Sequence, residues 1–194
     1  MKTGFIIAVL LGLLHFGCIN TTAETSPDTN VYSFLIDELA YALPPPPPPE
    51  EGDTISVMNQ DLWDSIKRIK VKVAIVPELS IINSSPLSNT PSEYRLIFND
   101  AHNVKKSFDV NALTSSIGHE IVLADTSKIR ESIEFQDFDL LFEFSNIFYN
   151  EDQTKALLEV AVSSSRLSGT SAIYGLVKKG NEWEIDYERS YLTW

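Results

Sequence analysis

Residues 171–189 read Ser171-Ala172-Ile173-Tyr174-Gly175-Leu176-Val177-Lys178-Lys179-Gly180-Asn181-Glu182-Trp183-Glu184-Ile185-Asp186-Tyr187-Glu188-Arg189. Two strand-forming runs flank Gly180-Asn181, the kind of pair a tight two-residue connection requires. The spacing predicts a hairpin of strands over 171–179 and 182–189. In the second strand Trp183, Ile185 and Tyr187 are expected on one face, with Glu182, Glu184, Asp186 and Glu188 on the other. Upstream, Ala156, Leu158, Val160 and Val162 alternate over 155–163, after a turn at Asn150-Glu151-Asp152-Gln153. Residues 138–149 are apolar enough for one strand or two broken ones, and 163–169 are expected as a loop. The C-terminal third is therefore a β-meander.

Toward the N-terminus, residues 68–76 show the clearest alternation in the chain. Ile69, Val71, Val73 and Ile75 face one way; Arg68, Lys70 and Lys72 face the other. That predicts a half-buried strand with a wet, basic side whose charges pair with carboxylates across the sheet. Residues 82–91 are rich in Ser, Asn and Pro and predict a loop. Strands are expected over 94–98 and 120–124, a short helix over 109–117, and another helical turn within 127–135.

Residues 28–43 read as an amphipathic helix. Val31, Phe34, Leu35, Ile36, Leu39, Ala40 and Leu43 fall at largely helical spacing, with Asp28 or Thr29 as cap. Six prolines, Pro44 to Pro49, must end it, because proline has no N–H to donate. They form a polyproline II rod of roughly 19 Å at ~3.1 Å per residue, a spacer or strut within a linker over 44–53. The expected class is α+β: an N-terminal amphipathic helix packed on a mainly antiparallel sheet with a C-terminal β-meander, in one domain over 54–194.

The first residues carry a different message. Lys2 precedes the apolar run Phe5-Ile6-Ile7-Ala8-Val9-Leu10-Leu11-Gly12-Leu13-Leu14, which is shorter than the ~20 residues of a membrane-spanning helix. A positive start, a short apolar core and a small residue before the cut make an export signal over 1–17. It ends at Gly17-Cys18, and Cys18 is the only cysteine. This region resembles the leader of bacterial lipoproteins, although His15 and Phe16 stand where that pattern has Leu and a small residue. The resemblance implies acylation of Cys18, a polar tether over 18–27, and a membrane reached through the lipid. The alternative is ordinary cleavage after Ala23, giving a periplasmic or secreted protein.

At the other end, Phe144-Ser145-Asn146-Ile147-Phe148-Tyr149-Asn150 followed by Ser168-Gly169, Tyr174 and residues 178–185 resembles the C-terminal part of small uncharacterised bacterial envelope lipoproteins. That resemblance implies an envelope location, the outer membrane foremost, and transfers no catalytic residue. Gly180, Trp183 and Ile185 also match a pattern seen in the last strands of cystatin- and NTF2-like domains, which implies a small-molecule pocket.

The net charge of −12 disfavours binding to nucleic acid or to anionic headgroups, and losing Lys2 with the leader makes it more negative. Gly118-His119-Glu120 begins like a zinc-protease motif, but position 123 is Leu where the second His is needed. His102 is distant in sequence. No Gly-x-Ser-x-Gly elbow or Gly-rich phosphate loop is present. The carboxylates of 182–188 lie too far apart along a strand to converge on Ca²⁺. No catalytic residue, cofactor or metal site is assigned. Asp53-Thr54-Ile55 and Asp64-Ser65-Ile66 have the form of bacterial O-glycosylation sites, making Thr54 and Ser65 candidate acceptors. The function expected is a lipid-anchored, non-catalytic envelope module with an envelope protein as partner. The alternative is an NTF2-like pocket that binds or hydrolyses a small molecule, recognisable as an apolar cavity containing His102, His119 or a buried carboxylate.

Overall fold

The computed structural model describes residues 27–41, 65–82, 87–99, 102–130 and 133–194. The expected leader, Cys18, the polar tether before residue 27, the proline run and Thr54 lie outside them.

The helix α1 spans Pro27–Leu39 and ends four residues before the expected 43. The Ala40 N–H still reaches the Ile36 carbonyl at 2.9 Å, but the Tyr41 N–H turns to the Leu39 carbonyl at 3.1 Å, which breaks the helical pattern. Its buried stripe is Val31, Tyr32, Leu35 and Ile36, and Ala40 just past its end is buried too. An isolated helix of 13 residues is marginal. Complete burial of Val31, Leu35 and Ile36 holds it to the sheet, at about 1.5–3 kcal/mol per side chain.

Among the described residues seven strands form one sheet: β1 (Lys72–Ile75), β2 (Glu120–Leu123), β3 (Leu140–Phe144), β4 (Phe148–Tyr149), β5 (Lys155–Ser165), β6 (Ser168–Lys179) and β7 (Glu182–Thr193). Their order is β2-β1-β3-β5-β6-β7, with β4 beside β5. The β5-β6-β7 meander is antiparallel, as expected. The sheet as a whole is mixed, because β1 runs parallel to both β2 and β3. That corrects the reading of residues 68–76. A central parallel strand is covered on both sides, so Ala74, on the side expected to be wet, is buried with Ala124 and Leu141. Lys72 makes the expected cross-strand ion pair, with Glu120 at 3.1 Å.

Several local expectations give way to tertiary contacts. Residues 94–98 are not a strand: Ser92–Arg95 form a short helix, α2. The Pro91 carbonyl accepts the N–H groups of Tyr94 and Arg95, each at 3.0 Å, and the Tyr94 ring is buried completely. The helix expected over 109–117 is one 3-10 turn, Val110–Ala112, capped by Asp109. The loop expected over 163–169 is strand on both sides of a turn at Arg166-Leu167, with Ser163 paired to Gly169 and Ser165 to Ser168. Residues 138–149 break into β3 and β4. At the break, Ser145 Oγ takes the N–H of Glu159 at 2.8 Å and donates to the Asn146 carbonyl at 2.9 Å.

The β6–β7 connection is the expected one, with Gly180 at φ +65°. The face assignment along β7 is not. Pairing steps from Leu176↔Ile185 to Gly175↔Tyr187, so Asp186 is an extra residue. Such a bulge re-aims the strand. Trp183 and Ile185 pack on the α1 side of the sheet. Tyr187 turns to the other side.

Candidate functional site

The α1 side of the sheet carries the main core. At one end of it α1, β4 and the segment 102–112 leave an open cavity of about 880 Å³. The segment is hung in place by backbone and amide bonds. Leu79 donates to the Lys106 carbonyl at 2.6 Å, Phe108 to the Pro77 carbonyl at 3.0 Å, and Asn146 Nδ2 to the Val104 carbonyl at 2.7 Å. Apolar lining comes from Tyr32, Leu79, Ile97, Phe108, Ile147 and Phe148, and polar lining from Asp28, Asn99, His102, Lys106, Asp109 and Tyr149. An apolar body with a few converging polar groups is the usual make-up of a ligand pocket.

Its polar corner is built on α1. Asp28 and Tyr32 are one turn apart and so share a face. The Tyr32 hydroxyl donates to the Ser145 carbonyl at 3.0 Å, and its ring meets Phe144 at 4.8 Å and Phe108 at 5.1 Å between centroids. Burial first, and the Asp28 carboxylate second, hold the Tyr32 hydroxyl far above its ordinary pKa. Tyr149 is raised by burial first, then by the Asp28 charge and a hydrogen-bond interaction with Asp28, and last by Tyr32. That contact with Asp28 is long or bent: the buried Tyr149 oxygen makes no hydrogen bond of good geometry among the described residues. Asp109 is tied down as a cap, accepting the Asn111 N–H at 3.0 Å.

The two histidines fall in different places. His102 lines the cavity and is exposed. His119 is buried, its Nδ1 accepting the Val71 N–H at 3.2 Å. That bond puts the neutral ring's proton on Nε2, which has no partner among the described residues. Neither nitrogen then has a lone pair for a metal. Burial lowers the His119 pKa, with Asp37 pulling the other way. Ser115 stands nearby without forming a nucleophile site. Its Oγ donates to Asp37 at 2.5 Å and accepts the N–H groups of Gly118 and His119, each at 3.0 Å, so the imidazole cannot act as its base.

A second polar group lies on the far face of the sheet. Glu159 Oε2 is buried without a partner among the described residues, while its Oε1 accepts from the Tyr191 hydroxyl. Burial raises the Glu159 pKa; the Tyr191 bond opposes this and the neighbouring Glu143 charge adds to it. The four acidic positions of 182–188 do not form one face. Glu184 pairs with Lys179 at 2.5 Å, Asp186 accepts from Tyr94 at 2.6 Å, and Glu188 stands by Tyr174 on the other side. Ser65 is exposed, and its carbonyl closes a turn with the Arg68 N–H at 3.2 Å.

Sequence reading assigned no role to Tyr32, Phe108 or Tyr149, and treated Asp28 only as a cap. The spacing of Asp28 and Tyr32 is the one local signal that could have joined two of them. No protein-family model matches the chain, and neither a curated protein nor a solved structure matches it.

Proposed function

We propose that this protein is a lipid-anchored, non-catalytic binding module of a bacterial cell envelope, and that its cavity takes a small amphipathic molecule. The observation that carries the reading is the open cavity of about 880 Å³ with an aromatic wall and a polar corner at Asp28, Tyr32 and Tyr149. It favours a small-molecule pocket over a flat protein-docking face. The leader-like start and the lone Cys18 support the anchor. From Cys18 to Asp28 is ten residues, a reach of at most roughly 35 Å at ~3.3–3.6 Å each, so an acylated Cys18 would keep the cavity mouth close to the membrane.

The test is titration with the uncharged fluorescent amphiphile N-phenyl-1-naphthylamine. Saturable binding at one molecule per chain is expected, with at least a tenfold loss in Ala112→Trp, which puts an indole into the cavity. No saturable binding, or equal binding by the variant, would overturn the cavity as the binding site.

A further inference from the structure

We propose that the cavity recognises an organic ammonium group, an inference that rests on the cavity being a ligand site. Asp28 lines it from the first turn of α1, close enough to act on the hydroxyls of both Tyr32 and Tyr149. The rings of Tyr32 and Phe108 pack together at 5.1 Å and line the same space. A carboxylate beside aromatic rings suits an ammonium that carries carbon substituents. The charge is met by the carboxylate, and the polarised alkyl shell lies on the π-systems. The Tyr149 hydroxyl is within reach of the same carboxylate as a hydrogen-bond partner, which holds Asp28 at the aromatic wall.

Other ligand classes fit less well. A hard metal ion asks for six or more oxygens in its shell, and no group of three His, Cys, Asp or Glu that could hold a metal occurs among the described residues. An anion would enter against Asp28, Asp109 and the field of a chain with net charge −12. That same field concentrates cations. Lys106 also lines the cavity and is exposed. It repels a bound cation, so its removal is expected to tighten binding. The ammonium could belong to a free small amine or to a lipid headgroup, and the chemistry recognised is the same.

The test is isothermal titration of the full chain with three probes: choline, its uncharged isostere 3,3-dimethyl-1-butanol, and monomeric dihexanoylphosphatidylcholine. Choline or the short lipid is expected to bind at least tenfold more tightly than the isostere. Asp28→Asn should weaken the charged probe tenfold or more and leave the isostere within twofold. Lys106→Ala should shift the charged probe the other way. Binding of choline points to a free amine, and binding of the short lipid alone points to a headgroup; either supports the inference. Equal binding of the isostere, no binding of either ammonium, or indifference to both substitutions would overturn it. If N-phenyl-1-naphthylamine still binds in that case, the cavity reading survives and only the ammonium is wrong.

Discussion

The ring of Tyr94 lies against the bare backbone of Gly175. A Cβ added at Gly175 would come within 2.8 Å of the ring, and the Tyr94 hydroxyl reaches past it to Asp186 at 2.6 Å. One contact thus ties α2 to the centre of β6 and to the bulge residue of β7.

Gly175→Ala should destabilise the fold by about 1–3 kcal/mol, the usual cost of overpacking. Tyr94→Phe keeps the ring and loses the bond to Asp186, at a cost of about 1 kcal/mol. Urea unfolding of both variants checks this. Equal stability of Gly175→Ala and wild type would mean that Tyr94 does not sit on that backbone.

Stability should fall as the pH drops below about 6.5, because of His119. Its folded pKa is lowered, so the unfolded chain takes up the proton first. The contribution is complete above the ordinary histidine value and is lost as pH falls toward the folded one. Protonation also places a second donor against the Val71 N–H. His119→Gln should flatten this dependence in unfolding measured on either side of about pH 6.5; an unchanged slope would assign it to other groups.

Glu159 acts in the opposite sense. Its folded pKa is raised, chiefly by burial. Its contribution is complete below the ordinary glutamate value and fades as pH rises through the folded one. Glu159→Gln keeps an oxygen for Tyr191 and removes the buried charge. Near neutral pH it should therefore unfold at higher urea than wild type, and a lower midpoint would contradict the burial of that carboxylate.

Much of the sheet was legible because it is local. The β6–β7 hairpin follows from alternation around Gly180-Asn181, and the α1 stripe from the spacing of Val31, Leu35 and Ile36. What was missed is long-range. Tyr94, Ile97 and Phe98 have strand propensity, but a ring seated on Gly175 outweighs it. The parallel pairing of β1 with β2 and β3 joins segments separated by over forty residues, which no short window reports. Asp186 looks like any other acidic position until its pairing shows it to be extra. The cavity is assembled from residues 28–32, Leu79, and residues near 97–112 and 146–149, so no single stretch carries its pattern.

Cys18→Ala should release the full chain from the membrane when it is expressed in a bacterium. The wild type should fractionate with membranes and carry the mass of added acyl chains on a chain beginning at Cys18. Soluble protein beginning near Glu24 in both cases would replace the anchor with ordinary export.

The most direct test of the central claim is native mass spectrometry of the wild type and of Ala112→Trp, each prepared the same way from the bacterial expression host. A bound small molecule at one per wild-type chain, and its loss from the variant, is the expected result. Empty wild-type protein, or the same molecule held equally by Ala112→Trp, would contradict a ligand-binding cavity.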